Sequence, residues 1–165
     1  MDFSKFDAQL NNDMEKQIKE AKENGAGESL ETPAGKYVAK VEKMELAATK
    51  DGRPMFKVQL RVIDAAEEAK DDVREYLSHF KNKKPCLFMN RVIYGTKNDA
   101  NMIASVCGWL EKLEPQTVSV EFKTYSQFAD VILDVFEEVA DAIELEVDYH
   151  PNAFNSINIA EVFDV

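Results

Sequence analysis

Cationic and aromatic side chains alternate in one short stretch of an otherwise acidic sequence. Residues 79–97 include five Lys and Arg and no Asp or Glu, whereas the whole chain of 165 residues has a formal net charge of −11. Phe80, Phe88 and Tyr94 lie among these cations. Sites for single-stranded nucleic acids combine a positive groove that follows the phosphates with aromatic rings on which bases stack. The stretch therefore predicts a localised polyanion site.

The positive balance extends towards the N-terminus. Residues 36–97 contain fourteen Lys and Arg against nine Asp and Glu, and the rest of the chain contains six against twenty-two. After Lys123 there is no Lys or Arg, while ten Asp and Glu follow. This separation predicts a local phosphate-binding surface and an acidic C-terminal half. We interpret the acidic half as a solvated face, or alternatively as a surface that binds recombination or replication proteins.

Composition restricts the class of protein. A chain of this length with 45% hydrophobic residues is sufficient for one globular domain with a core. Cys86, Cys107, His79 and His150 lack the spacing of metal ligands, so no metal or other cofactor is expected. No apolar stretch has the length of a signal peptide or a membrane span. These features predict a cytoplasmic protein with no membrane partner.

Alternating apolar residues predict a β-hairpin. Residues 36–46 and 55–63 have the pattern of strands, and a turn signal, Asp51-Gly52, lies between them. Alternate residues of the second strand face opposite sides, which assigns Phe56 to the core. The polar side of that strand carries Lys57, Gln59 and Arg61.

The later elements predict a barrel. They are a strand at 84–93, helices at 99–112 and 128–139, and strands at 143–149 and 157–163, with a loop insertion at 64–72 and a further short strand candidate at 117–123. Trp109 lies on the apolar stripe of the first helix and is assigned to the core. Five strands with a helical insertion between the third and the fourth have the order of an OB-type Greek-key barrel, whose second and third strands face oligonucleotides. The predicted fold class is a mixed β-barrel plus α-helices of this OB-like type.

Residues 1–30 are predicted to be a helical appendage and linker, and residues 31–165 the OB-like binding domain. Apolar residues with helical spacing over residues 2–24 are Phe3, Phe6, Leu10, Met14 and Ile18. Gly25 and Gly27 are predicted to end this helix.

The candidate binding residues follow from this arrangement. Phosphate contacts are assigned to Lys57, Arg61, Lys83, Lys84 and Arg91, with Arg53 and Lys97 at the margins. The candidates for base stacking are Tyr37, Phe80, Phe88 and Tyr94. Because neighbouring residues of a strand face opposite sides, Phe88 shares a face with Lys84 but not with Arg91. Lys84 and Arg91 therefore cannot both contact phosphate on the face of Phe88 unless a bulge intervenes, and one of the two assignments must be wrong.

Short motifs over nearly the whole chain are similar to those of one protein family. They are MDFSKFDAQL at the start, PAGKY at 33–37, GRPM at 52–55, LFMN at 87–90, VEFKTY at 120–125, FNSI at 154–157 and EVF at 161–163. In these motifs the chain resembles an uncharacterised phage protein family described as single-stranded-DNA-binding-like. The resemblance implies an OB-like protein that binds single-stranded DNA and is encoded near phage replication and recombination functions. Such motifs imply a shared fold more firmly than a shared activity.

Two other functions fit parts of the sequence. An acidic interaction protein, such as an inhibitor that occupies a basic groove of a host protein, accounts for the net charge and requires the cations of residues 36–97 to be scattered or paired internally. A metal-dependent nuclease is indicated by Glu121-Phe122-Lys123, because a strand would place the carboxylate and the amine on one face. The nuclease also needs an upstream Asp near that strand, and Asp99 lies instead at the start of a predicted helix. The favoured prediction is a binding protein, not an enzyme, that protects or presents single-stranded DNA without strong sequence preference.

Overall fold

The computed structural model describes residues 2–10, 13–23 and 30–165. Its strands are β1 (Gly35–Ala48), β2 (Pro54–Ala65), β3 (Cys86–Val92), β4 (Ile143–His150) and β5 (Ser156–Asp164). The helices of the described ranges are α1 (Ser4–Asp7), α2 (Met14–Glu23), α3 (Asp71–Ser78), α4 (Asp99–Lys112) and α5 (Tyr125–Val139). The predicted hairpin, third strand, helical insertion and two closing strands are confirmed, with each boundary within three residues.

The five strands form one antiparallel sheet in the order β3-β2-β1-β4-β5. This sheet is not closed, since the ladders of the described residues end at β3 on one side and at β5 on the other. Its two edges nevertheless approach each other. The guanidinium of Arg91 on β3 donates to the carbonyl of Phe154 at 2.7 Å and to the hydroxyl of Ser156 at 3.0 Å. The sheet is therefore strongly curved, and side-chain hydrogen bonds join its edges.

One face of the sheet holds the core. On β2 the apolar residues at 56, 58, 60 and 62 are buried and the polar residues between them are partly exposed, as the alternation predicts. The insertion helices α4 and α5 cover this face, and α5 lies against β1. Trp109 packs on Phe56 with ring centroids 5.8 Å apart and donates its Nε1–H to the carbonyl of Ile157 at 2.8 Å. The assignment of Phe56 and Trp109 to the core is confirmed.

The prediction of a strand at 117–123 is wrong. The backbone N–H groups of Gln116 and Thr117 donate to the carboxylate of Glu138 on α5, at 2.6 Å and 2.7 Å. The Thr117 hydroxyl bonds the same carboxylate, and these bonds lower the pKa of Glu138. Because a helix side chain satisfies these groups, the segment runs along α5 without a strand partner and packs its apolar side chains against the core.

The helix α3 begins at the end of the segment at 64–72 that the sequence predicts as a loop insertion, and this helix is not among the elements that the sequence predicts. β2 extends to Ala65, and after a short turn α3 begins at Asp71 and buries Val73, Tyr76 and Leu77. These apolar residues have helical spacing, but they make a stripe of only one turn within a polar segment. The stripe is too short to distinguish a helix from a loop in the sequence.

The N-terminal appendage contains two short helices, α1 and α2, instead of the single helix predicted. None of the residues in these helices is buried, so their apolar stripe does not contribute to the core. Gly25 and Gly27, which are predicted to end the helix, lie outside the described residues. In the described part of the chain, no helix combines the length and apolarity that crossing a membrane requires.

Replacing Gly35 with alanine is expected to lower the free energy of unfolding by about 2–4 kcal/mol. The backbone φ at Gly35 is +153°, and a Cβ there would lie 2.5 Å from Cγ2 of the buried Val73. Urea unfolding measures the loss. The matched control is Gly108→Ala on α4, where a Cβ meets nothing within 4 Å. Because alanine favours a helix, the control is expected to gain up to about 1 kcal/mol, and equal effects of the two substitutions would contradict the prediction.

Candidate nucleic-acid interface

Strands β1, β2 and β3 present a set of polar side chains on the surface opposite the core, which we call the outer face. The strand register aligns these side chains in three rows across the sheet. The rows are Lys40–Arg61–Cys86, Lys43–Gln59–Phe88 and Glu45–Lys57–Asn90. An irregularity in the register between Val41 and Lys43 adds Glu42 to the outer face, where its carboxylate contacts Arg61 and Gln59. The hairpin and β3 thus bring cations, amides and one aromatic ring onto one surface.

The outer face is positive although the whole protein is negative. In and beside its three rows, four cations stand against two carboxylates, Glu42 and Glu45, and Lys83 in the loop before β3 adds a further cation. The continuation of this surface on β4 and β5 is acidic, with Glu146 opposite Glu161. The acidic side chains on β4 are Glu144, Glu146 and Asp148. A polyanion is therefore attracted to the β1–β3 half of the surface and repelled by the other half.

Phe88 provides an exposed ring on β3, the edge strand of the outer face, with 52% of its surface accessible. It borders a shallow depression whose polar lining is Lys43, Glu45, Lys57, Gln59 and Asn90. Among the described residues, none forms a hydrogen bond or ion pair with the ammonium group of Lys57, which is therefore free to bind a ligand. A ring beside free donors in an open depression suits a stacked base with an adjoining phosphate.

Arg61 is held by a carboxylate within the outer face, contrary to its assignment as a free phosphate contact. Its Nη2 donates to both oxygens of Glu42 at 2.9 Å and 2.8 Å, and its Nη1 donates to the carbonyl of Lys84 at 2.6 Å. Gln59 and the thiol of Cys86 also donate to the Glu42 carboxylate. The Cys86 bond, followed by Arg61, holds the pKa of Glu42 below its usual value. Only 18% of the Arg61 side chain is exposed.

Tyr37 does not belong to the interface, and its assignment as a stacking residue is wrong. Its ring is fully buried and packs edge-on against Tyr149. The hydroxyl donates to the carbonyl of Pro33 at 2.6 Å, and burial raises the pKa of the phenol. Tyr37 occupies an inward position of β1, where a base has no access.

Lys84 and Phe80 stabilise the segment between α3 and β3. The ammonium of Lys84 donates to the carbonyl of Phe80 at 3.0 Å and more weakly to that of Leu77 at 3.4 Å. The ring of Phe80 is half-buried and packs edge-on against Tyr76, with centroids 5.1 Å apart. Both side chains are therefore engaged within the protein, and their predicted role as ligand contacts stays a prediction.

Arg91 lies on the inward side of β3, as the parity argument requires once Phe88 is placed outside. Its guanidinium is partly buried, and this burial lowers its pKa. It bonds the turn between β4 and β5, at the carbonyl of Phe154 and the hydroxyl of Ser156. Arg91 therefore joins the two edges of the sheet, and its guanidinium is engaged within the protein rather than free for the phosphate contact that the sequence predicts.

Arg53 and Tyr94 lie where the β1–β2 turn meets the loop after β3. The Arg53 guanidinium donates to Asp51 at 3.0 Å, and its aliphatic stem lies alongside Gly95. Tyr94 is 51% exposed and packs edge-on against Tyr125. Both remain accessible from solvent. Of the predicted residues, the structure brings Lys57, Lys83 and Phe88 to the outer face, with Arg53 at its margin, whereas Tyr94 packs against α5, which covers the core face.

Phe154 is a candidate that the sequence prediction missed. It lies in the turn between β4 and β5, 88% exposed, with a left-handed backbone φ of +57°. The bond from Arg91 to its carbonyl fixes this turn beside β3. The sequence does contain a signal, since an aromatic residue follows Pro151-Asn152-Ala153 in a turn, where a buried role is unusual.

The chemistry that the nuclease alternative requires is not assembled in the described residues. Residues 121–123 are not part of a strand, so the strand geometry on which that alternative depends does not form. Lys123 donates its backbone N–H to the side chain of Gln127 at 2.9 Å. No group of three or more His, Cys, Asp or Glu in the described ranges is arranged to hold a metal ion.

Comparison of the sequence with models of known protein families finds no match, and comparison with curated proteins finds none either. Function must therefore be inferred from the chemistry of the outer face.

Proposed function

We propose that this protein binds single-stranded DNA with little sequence preference on the outer face of an OB-like barrel, in support of phage replication or recombination. The observation that carries the proposal is the row Lys43–Gln59–Phe88 beside the unpaired Lys57. This arrangement offers one stacking platform and the free ammonium group of Lys57 within a positive half of the sheet. Stacking and phosphate attraction do not depend on base identity, so binding tolerates any sequence.

The strand order supports the OB-like part of the proposal. An OB fold is a partly open five-stranded Greek-key barrel with the ligand on its second and third strands. Here β1 lies between β2 and β4, the insertion of α4 and α5 stands between β3 and β4, and Arg91 joins the β3 edge to the β5 edge. The resemblance of the sequence motifs to a phage family described as single-stranded-DNA-binding-like agrees with both parts of the proposal.

Titration of fluorescent oligothymidine across a salt series tests this function. In EDTA, we expect the logarithm of the association constant to fall with the logarithm of salt concentration by about 0.7 for each phosphate contacted. Lys57→Ala with Lys83→Ala is expected to weaken binding and to reduce this slope by about 0.7 for each lysine that contacts a phosphate.

The control variant is Lys112→Ala with Lys123→Ala, which removes two exposed lysines outside the outer face. It makes the same change in net charge and is expected to keep the wild-type slope. Absence of binding at low salt would contradict the proposal. Shortening of the oligonucleotide on addition of Mg²⁺ or Mn²⁺ would instead support the nuclease alternative.

A second candidate function, an acidic interaction protein, is favoured by the internal pairing of several cations. Lys36 pairs with Glu68, Arg53 with Asp51 and Arg61 with Glu42, at N–O distances of 2.8–3.0 Å. The acidic half formed by β4 and β5 would then be the binding surface for a basic protein, such as a recombination or replication protein. The oligothymidine titration separates the two functions, because this candidate expects no binding of single strands at low salt.

A further inference from the structure

We propose that the Glu42 carboxylate competes with DNA phosphates for the guanidinium of Arg61. It holds Arg61 in an internal ion pair and thereby limits the affinity of the outer face for single strands. The inference rests on the proposed function and concerns how that same site is regulated. It assigns Glu42 the role of keeping binding weak enough for the strand to be released to other proteins.

The geometry of the pair is that of a guanidinium bound to an oxyanion. Arg61 directs Nε and Nη2 to one carboxylate oxygen at 3.2 Å and 2.9 Å, and Nη2 also reaches the other oxygen at 2.8 Å. A phosphate group uses the same fork of N–H donors, because carboxylate and phosphate both accept two parallel bonds from arginine. Glu42 thus occupies the place that a phosphate would take on Arg61.

The position of Glu42 is fixed by the fold. It lies at the register shift between Val41 and Lys43, so an extra residue of β1 is directed onto the outer face. Gln59 and Cys86 donate to the same Oε2 atom, at 2.8 Å and 3.1 Å. These neighbours hold the carboxylate beside Arg61, in the row next to Phe88.

Glu45 provides a matched comparison on the same strand. It also lies on the outer face, but its partner is the flexible Lys43 at 3.6 Å, with the lysine side chain 58% exposed. Neutralising Glu45 removes one negative charge and loosens only the long contact to the exposed Lys43, without releasing an arginine. A difference between the Glu42 and Glu45 variants therefore isolates the release of Arg61 from the general effect of charge.

The test is an oligothymidine titration of Glu42→Gln and Glu45→Gln across a salt series, with thermal unfolding to establish that each variant is folded. We expect E42Q to bind about fivefold more tightly than E45Q, the upper range for a surface ion pair, because the Arg61–Glu42 pair is partly buried. We also expect its salt slope to be steeper than that of E45Q by about 0.7, corresponding to one added phosphate contact.

The double variant E42Q/R61Q removes both charges of the pair and keeps the net charge. We expect it to bind with the affinity and the salt slope of the wild type, because the pair as a unit contributes no phosphate contact. Equal affinities of E42Q and E45Q would overturn the inference, as would weaker binding of E42Q/R61Q than of wild type. If neither wild type nor E42Q binds at low salt, the proposed function and the inference both fail, whereas binding by wild type with no gain in E42Q overturns the inference alone.

Discussion

Replacing Phe88 with alanine is expected to weaken binding of oligothymidine by about 5- to 150-fold, which corresponds to 1–3 kcal/mol for one base stacked on an aromatic ring. The ring is half-exposed on β3, where Phe88 pairs in register with Gln59 of β2 and borders the same depression as Lys57. Removing it leaves the cations in place. The salt slope should therefore stay at the wild-type value while the affinity at every salt concentration falls.

The control for this prediction is Phe163→Ala on β5. Phe163 is an aromatic residue of similar exposure, 42%, but it lies opposite Glu144 in the acidic half of the sheet. F163A is expected to bind oligothymidine as the wild type does. Equal losses in F88A and F163A would indicate a general effect of lost aromatic surface and would contradict the placement of the base on Phe88.

The predictions that the structure confirms rest on periodic patterns that one strand or helix fixes by itself. The alternation of β2 determines its buried and exposed residues before any partner strand is known, and Phe56 is buried as expected. The apolar stripe of α4 gives the bounds of that helix and the burial of Trp109 in the same way. Patterns of this kind are local, so the sequence alone specifies them.

The candidate site is less well specified by local patterns than the strands and helices, because the exposure and the partners of its side chains depend on residues that are distant in sequence. Arg61 faces outward as its parity requires, but it is engaged by Glu42, nineteen residues away. Tyr37 is buried because it occupies an inward position of β1, where its ring packs against Tyr149 of β4. A list of cations and aromatic rings carries no information on such partners.

Two further differences between the sequence prediction and the structure have the same cause. The prediction of a strand at 117–123 follows from its alternation, but Glu138 of α5 binds its backbone and no strand is adjacent. Arg91 appears in the sequence as one of a series of cations, yet its bond to Phe154 spans 63 residues and closes the gap between the sheet edges. In both cases a long-range side-chain contact decides the role of the segment.

Replacing Phe56 with alanine is expected to lower the free energy of unfolding by about 3–5 kcal/mol, because a fully buried ring leaves a cavity that its neighbours fill only in part. For a chain of this size, the melting temperature should fall by about 6–20 °C. Phe56 packs against Trp109 and pairs in register with Arg91, so the cavity would open beneath the point where the sheet edges meet. Calorimetry or urea unfolding measures the loss.

Phe56 and Phe88 lie on opposite faces of two adjacent strands, so one variant should lose stability and the other should lose affinity for oligothymidine. F88A is expected to unfold with a free energy close to that of the wild type and to lose affinity for oligothymidine. F56A is expected to lose stability, while the folded fraction below its melting temperature retains the wild-type affinity and salt slope. If F56A instead loses affinity while fully folded, the outer face depends on the exact shape of the core beneath it, and stacking on Phe88 alone would not account for binding.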